Sequence, residues 1–114
     1  MFKKNDLGEY EMKIKGIRFV CEEPDEGFED AAEKIAECYK ARLSAIAQFL
    51  LDNGIEECFG ELTPEQIVKS LGAPIIDLSA GTVLYADHGF DDDSIIEFEF
   101  DGILEEFDYL SIDG

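Results

Sequence analysis

The sequence predicts an α+β domain in which an antiparallel sheet of about six strands carries one long and one short helix on one face. Three segments show apolar and polar residues alternating on both sides of a candidate turn, which is typical of β-hairpins. Between the first and second of these segments, apolar residues recur every three or four positions, which is typical of an amphipathic helix. Each hairpin has one apolar face, and helices packed on that side of the sheet would bury it.

The first hairpin is marked by a change of phase at Lys15-Gly16. The alternation over residues 9–22 slips by one position there. One strand cannot explain the slip, because strand side chains alternate with a period of two. A two-residue turn at Lys15-Gly16 explains it, with Gly16 supplying a positive φ. This turn pairs Ile14 with Ile17, Met12 with Phe19, and Tyr10 with Cys21 on one face.

A long helix is predicted from Phe28 to Asn53. Asn53-Gly54 is a suitable C-terminal stop, and acidic residues in the first turn suit the positive N-terminus. The apolar residues of this segment form one stripe along the helix: Phe28, Ala32, Ile35, Tyr39, Leu43, Ile46 and Leu50.

A short helix is predicted after Leu62-Thr63. Thr63 suits the N-cap position, Pro64 the first helical position, and Gln66 the third position of a capping box. Gly72 is expected to end this helix.

Two more hairpins are predicted towards the C-terminus, although the order of strands in the sheet is not. A turn at Ala80-Gly81 places one set of apolar residues on the inner face: Ile76, Leu78, Val83 and Tyr85. The pair Asp101-Gly102 is a strong type I′ turn signal. It places a second set on the inner face: Ile96, Phe98, Phe100, Ile103, Phe107 and Tyr109.

The charge of the chain excludes several classes of partner. The 114 residues hold 28 acids and nine bases, for a net charge of -19, and residues 70–114 contain no Lys or Arg. Such a chain is not expected to bind nucleic acid or an anionic membrane surface. No apolar run approaches the roughly 18 residues of a membrane span, and the first residues lack the apolar centre of a signal peptide. We therefore expect a cytoplasmic protein.

The residues that could carry chemistry form no recognised motif. Cys21, Cys38 and Cys58 are an odd set without a C-x-x-C pair, which disfavours a disulfide framework or a zinc site. His88 is the single histidine, and a nucleophilic pair would need a cysteine beside it. The run Asp91-Asp92-Asp93 lacks the ligand spacing of an EF-hand, which leaves a solvated loop or a weak cation site. We predict no catalytic, cofactor-binding or metal-binding residue.

The outer face of the last hairpin is expected to be acidic. A turn at Asp101-Gly102 sets Glu97 opposite Glu106 and Ile95 opposite Asp108. A loop two residues longer sets Glu97 opposite Asp108 and Glu99 opposite Glu106. Like charges meet in both registers, which costs a few tenths of a kcal/mol per pair. Two interpretations stay open, a solvated surface that favours solubility and a surface that matches a cationic partner.

On the second interpretation, the candidate partner-binding residues are the acids of this hairpin and of the loop before it. They are Asp91, Asp92, Asp93, Glu97, Glu99, Glu106 and Asp108.

The order of elements resembles a group of small uncharacterised bacterial proteins, known mainly as domains of unknown function and similar to toxin-immunity proteins. The resemblance rests on the Lys-Gly hairpin, the long helix, and short motifs: Leu62-Thr63-Pro64-Glu65, Ser94-Ile95-Ile96 and Ile112-Asp113-Gly114. Members have Gly-His where this chain has Asp92-Asp93, so no role of that His carries over. The resemblance implies an α+β fold without an established catalytic site.

These observations predict a single domain over residues 1–114 with a non-enzymatic role. The leading hypothesis is a protein-binding module with a basic protein partner, for example an immunity protein that neutralises a basic toxin. The alternative is a small enzyme or ligand-binding domain whose pocket the sequence does not reveal. A third hypothesis is a soluble accessory protein. The sequence does not predict the oligomeric state.

Overall fold

The computed structural model describes residues 2–91 and 93–113, and over these ranges the predicted α+β class is confirmed. The described residues form seven strands and three helices: β1 Lys3–Lys4, β2 Tyr10–Ile14, β3 Ile17–Cys21, α1 Phe28–Asp52, α2 Ile55–Phe59, α3 Pro64–Leu71, β4 Ile75–Asp77, β5 Thr82–Tyr85, β6 Ile95–Asp101 and β7 Glu106–Asp113. The strand count is thus higher than predicted. The additional strand β1 has two residues, and the unpredicted helix α2 has five, too short to show a periodic pattern.

The described strands form one sheet in which they lie in sequence order. Neighbouring strands are antiparallel except β3 and β4, which run parallel. Parallel neighbours need a crossover connection, and the three described helices provide it between these two strands. The sheet is therefore mostly antiparallel, with its one parallel pair at the point where the chain leaves for the helical layer.

The first hairpin has the predicted register. Tyr10 pairs with Cys21, and the pairing continues to Ile14 and Ile17 beside the turn. Lys15 and Gly16 have φ angles of 52° and 83°, so both turn residues adopt the positive φ that a type I′ turn requires.

The long helix is also confirmed, with Asn53 as its C-cap. Most of the predicted stripe is buried, while Phe28 at its N-terminal end and Leu43 are partly exposed. The buried residues of α1 are Ala32, Ile35, Ala36, Tyr39, Ile46, Ala47 and Leu50. The Tyr39 hydroxyl lies 2.6 Å from the Tyr85 hydroxyl, so a hydrogen bond joins α1 to the inner face of β5.

The capping box of α3 forms as predicted. The backbone N–H of Gln66 donates to Thr63 Oγ1 at 3.2 Å, and the N–H of Thr63 donates to Gln66 Oε1 at 2.8 Å. Pro64 occupies the first turn and Gly72 is the C-cap.

Replacing Thr63 with Ala is expected to lower the free energy of unfolding by about 1 kcal/mol, because the Gln66 amide loses its acceptor. Thr63→Ser keeps a hydroxyl oxygen at the same place and is expected to stay close to the parent protein. Urea unfolding of the three proteins measures the difference. An unchanged midpoint for Thr63→Ala would show that the cap contributes nothing to stability.

The two-residue turn predicted for the second hairpin is wrong. The pairing of β4 with β5 is shifted by two residues from the predicted register. Ile76 pairs with Val83, so residues 78–81 form a four-residue loop instead of a two-residue turn. The Asp77 side chain stabilises this loop, since its Oδ1 accepts the backbone N–H groups of Ser79 and Ala80 at 2.9 and 3.0 Å. A shift of two residues keeps the same face inward, so Ile76, Val83 and Tyr85 are buried as predicted, whereas Leu78 lies in the loop and is partly buried.

Both registers considered for the third hairpin are wrong. Asp101 pairs with Glu106, so the loop comprises residues 102–105. Leu104 has a φ of 54° and is fully buried, because the loop turns its side chain into the core. Arg42 of α1 holds the loop, donating from Nε to the Leu104 carbonyl at 2.6 Å and from Nη2 to the Glu105 carbonyl at 3.1 Å.

Tyr109 does not face the core as predicted. The pairing of β6 with β7 shifts between Glu97 and Glu99, as at a β-bulge. Tyr109 lies opposite this irregularity with a φ of 55° and a side chain that is 71% exposed. Beyond it, Ile112 pairs with the buried Ile96.

Candidate partner-binding surface

The face of the sheet that points away from the helices, here called the outer face, changes in chemical character from one side to the other. Paired residues of neighbouring strands share a face, so the pairing defines rows across it. One row runs from β2 to β7 through Lys13, Arg18, Ile75, Leu84, Glu97 and Ser111. The row is basic at one end, apolar in the centre and acidic where it reaches β6.

The acids of β6 and β7 form what we call the acidic ladder: Glu97, Glu99, Asp101, Glu106 and Asp108. Two like-charge pairs lie directly across the strands, Glu99 opposite Asp108 and Asp101 opposite Glu106. Glu97 faces Ser111 instead of an acid. The structure therefore opposes carboxylates as expected, but in a register that the sequence did not predict, and it adds Asp101 to the group.

The described ion pairs do not neutralise this ladder. Arg18 pairs with Glu11 at 2.6 Å, and Lys34 pairs with Asp30 at 3.0 Å within α1. Arg42, the cation nearest to the hairpin loop, donates to backbone carbonyls and lies 5.8 Å from the centre of the Phe107 ring. The ladder therefore keeps its negative charge facing solvent.

Asp91, one of the candidate acids in the loop before β6, has a structural role. Asp91 Oδ1 accepts the backbone N–H groups of Ser94 and Asp93 at 2.8 and 3.1 Å, and its Oδ2 accepts the Ser94 hydroxyl at 2.6 Å. These hydrogen bonds lower the pKa of Asp91. The bond from the Ser94 hydroxyl has the largest effect, and the backbone donors add to it. Asp93 is exposed, and Asp92 lies outside the described residues. Over the described part of the chain, no group of three or more His, Cys, Asp or Glu residues could hold a metal ion.

Because the pKa of Asp91 is lowered, its contribution to the stability of the folded protein is expected to depend on pH. A carboxylate whose pKa is lowered on folding stabilises the folded state above its unfolded pKa, and this contribution is lost as the pH falls through the folded value. Asp91→Asn is therefore expected to reduce the melting temperature at neutral pH, with a difference from the parent that shrinks as the pH falls below 3.8, the ordinary value for this group.

Thermal melts between pH 7 and pH 3 measure this difference. Asp93→Asn is the matched control, because it removes a charge from the same loop while the described residues give the Asp93 carboxylate no hydrogen bond. A difference between Asp91→Asn and the parent that stays constant with pH would contradict the role of the ionised carboxylate.

His88 is buried and forms no nucleophilic pair with a cysteine. The Phe90 backbone N–H donates to His88 Nδ1 at 3.2 Å, so Nε2 carries the proton and donates to the Ser94 carbonyl at 2.7 Å. Phe59 and Phe90 lie beside the imidazole, with ring centres at 6.0 and 5.4 Å. Both nitrogens are occupied by backbone groups of Phe90 and Ser94, so His88 holds together the loop that precedes β6.

A groove in the centre of the outer face was not predicted. We call it the outer-face groove; its volume is about 230 Å³. Val20, Ile75 and Leu84 form its apolar floor, and three carboxylates line it: Glu9, Asp77 and Glu97. A signal for it exists in the sequence, because the three central strands contain consecutive apolar residues instead of strict alternation, as in Val83-Leu84-Tyr85. Such runs indicate strands that are apolar on both faces.

A second groove, of about 360 Å³, lies between the tip of the first hairpin and α1. Lys15, Glu37, Tyr39 and Lys40 are among its lining residues. Burial raises the pKa of the Tyr39 phenol, and its hydroxyl is bonded to Tyr85 in the core. The residues that line this groove therefore include two lysines and one carboxylate. They do not include a nucleophile that a neighbouring base activates.

Within the described ranges, no helix is both long enough and apolar enough to cross a membrane. Comparison of the chain with protein-family models, with curated proteins and with solved structures finds no match. The resemblance to small bacterial proteins stays a prediction.

Proposed function

We propose that this chain is a non-enzymatic binding protein whose acidic ladder associates with a basic protein partner. The observation that supports the proposal is the opposition of carboxylates across β6 and β7, at Glu99 with Asp108 and at Asp101 with Glu106. Like charges in directly paired positions destabilise a sheet. A cationic partner would relieve this repulsion, so these acids favour the complex more than they favour the free protein.

The ladder also suits rapid association. Carboxylates on one surface attract a cationic partner over a distance and raise the association rate. The chain carries a net charge of -19, and its last 45 residues contain no base that would weaken this field. The fit is therefore to a partner with a cluster of Lys and Arg.

Toxic nucleases present such a cluster, because they must bind a polyanionic substrate. An acidic protein that covers the same surface would exclude the nucleic acid. The acidic ladder therefore fits the role of an immunity protein that acts in the cytoplasm against a basic toxin.

A second explanation of the same acids follows from the position of β7. This strand lies at the edge of the sheet, and acids along an edge strand prevent pairing with other chains. On that explanation the ladder protects solubility and recognises nothing. Glu97 and Glu99 lie on β6, inside the edge, so edge protection does not account for them.

The proposal is tested with the product of a neighbouring gene where that product is a basic protein, and otherwise with a basic nuclease as the probe. Stopped-flow association is expected to slow at least tenfold between about 20 and 200 mM NaCl, because salt screens the attraction. A rate that does not depend on salt would contradict recognition through the ladder.

A further inference from the structure

The outer-face groove combines an apolar floor with an acidic rim beside the acidic ladder. On the basis of the proposed function, we propose that this groove seats one large apolar side chain of the basic partner, flanked in the partner's sequence by Lys or Arg. The ladder then attracts the partner, and the groove holds it.

The floor departs from what a solvent-facing sheet surface normally shows. The outer face of a one-layer sheet is usually polar, because only the inner face packs against helices. Here Ile75 and Leu84 are directly paired neighbours on the outer face and are partly buried, and Val20 beside them is only 6% exposed. Leu7, in the loop before β2, is 80% exposed at the margin of the groove. The accessible apolar surface at this groove therefore comes from Leu7, Ile75 and Leu84, since Val20 is almost fully buried.

The loop that carries Leu7 is held in place by Asn5. Asn5 Oδ1 accepts the backbone N–H groups of Leu7 and Glu9 at 2.9 and 3.0 Å, and the Asn5 N–H donates to the Glu9 carbonyl at 2.7 Å. One wall of the groove is therefore preformed, which lowers the entropy cost of binding.

The charge of the groove's rim favours an occupant that carries positive charge. Arg18 is the cation that lines the groove, and its guanidinium is paired with Glu11 at 2.6 Å. The carboxylates of Glu9, Asp77 and Glu97 leave a net negative rim. A neutral apolar segment would desolvate these carboxylates without pairing them, which is costly, whereas a segment with flanking Lys or Arg would pair them. A second copy of this chain, with its own net charge of -19, fits the rim poorly.

The size of the groove limits what enters it. Pockets for whole cofactors or drug-sized ligands measure about 300–1,000 Å³. A volume of about 230 Å³ suits a single side chain that projects from a larger partner. Glu97 belongs both to the groove and to the acidic ladder, so one partner can contact the two at once.

Two capped pentapeptides of equal charge test the inference. One has phenylalanine between two pairs of lysines, and the other has serine in place of the phenylalanine. In NMR titrations, the phenylalanine peptide is expected to bind at least tenfold more tightly and to shift the amide signals of Val20, Ile75 and Leu84. The serine peptide is expected to shift signals of the acidic ladder only.

Two variants make the test specific. Leu84→Thr is expected to abolish the preference for phenylalanine while affinity for the serine peptide stays unchanged. Ile95→Thr is the matched control. Ile95, in β6, is 43% exposed on the outer face and does not line the groove. This variant is expected to keep the preference. Thermal melts establish that both variants fold.

The outcomes separate this inference from the proposed function. Equal binding of the two peptides, with shifts confined to the acidic ladder, overturns the groove and leaves the ladder as the recognition surface. A preference for phenylalanine that survives Leu84→Thr also overturns it, as do shifts at the second groove, between the tip of the first hairpin and α1. Binding of neither peptide counts against the groove and the ladder together.

Discussion

Phe98→Ala is expected to lower the free energy of unfolding by about 3–5 kcal/mol. Phe98 is fully buried on the inner face of β6, with ring centres of Phe49 at 5.3 Å, Phe107 at 5.6 Å and Tyr85 at 6.2 Å. Removing the ring leaves a cavity among three aromatic side chains that cannot close without moving α1 against the sheet. A domain of this size has a total stability of only about 5–15 kcal/mol, so the variant should unfold at a much lower urea concentration.

Tyr109→Ala is the control for this prediction. The sequence pattern placed both aromatic residues on the inner face, whereas the structure buries Phe98 and leaves Tyr109 exposed beside the bulge. Tyr109→Ala is therefore expected to change the stability by less than about 1 kcal/mol. Equal losses for the two variants would mean that β7 has no bulge and that its alternation continues to the C-terminus.

The three hairpins show which features of a sheet a sequence can predict. The first register was predicted correctly because Lys15-Gly16 interrupts the apolar alternation at one position, and the two turn residues adopt the required φ angles. The third was not, because Leu104 turns into the core from within the loop, against the local signal of Asp101-Gly102. Tertiary burial decides that register, and no local pattern encodes it.

The candidate site was predictable to a similar degree. The absence of bases after residue 69 is visible in the sequence, and it predicted an acidic hairpin. Which acids oppose each other depends on the loop length and the bulge, so Asp101 with Glu106 could not be foreseen. The outer-face groove depends on the pairing of β3 with β4 across the helical crossover. The apolar runs of the central strands indicate its floor, but a contact between strands so distant in the chain has no local signal.

Reversing four of the five charges of the acidic ladder is expected to slow association with the basic partner by about 10–100-fold, because the attractive field is inverted. The variant carries Lys at four positions: Glu97, Glu99, Glu106 and Asp108. A matched variant carries Lys at four exposed acids outside the ladder: Glu23, Glu26, Glu33 and Glu57. Both change the net charge by the same amount, so only the position of the charge differs.

The association rates of the two variants at low salt decide between net charge and a specific surface. The matched variant is expected to lose less than about threefold, since its charges lie outside the ladder. Equal losses would show that net charge alone matters. Unchanged rates in both would show that the ladder only protects solubility.

The single substitution Glu99→Lys separates the effect of this acid on stability from its effect on binding, because the two are expected to change in opposite directions. It turns the repulsion between Glu99 and Asp108 into an attraction across the strands, and it is expected to stabilise the free protein by a few tenths of a kcal/mol. The same change places a cation where the partner's cations would dock, so association is expected to slow. Urea unfolding and stopped-flow association measure the two effects on one protein. A variant that is more stable and binds as fast as the parent would exclude Glu99 from the recognition surface.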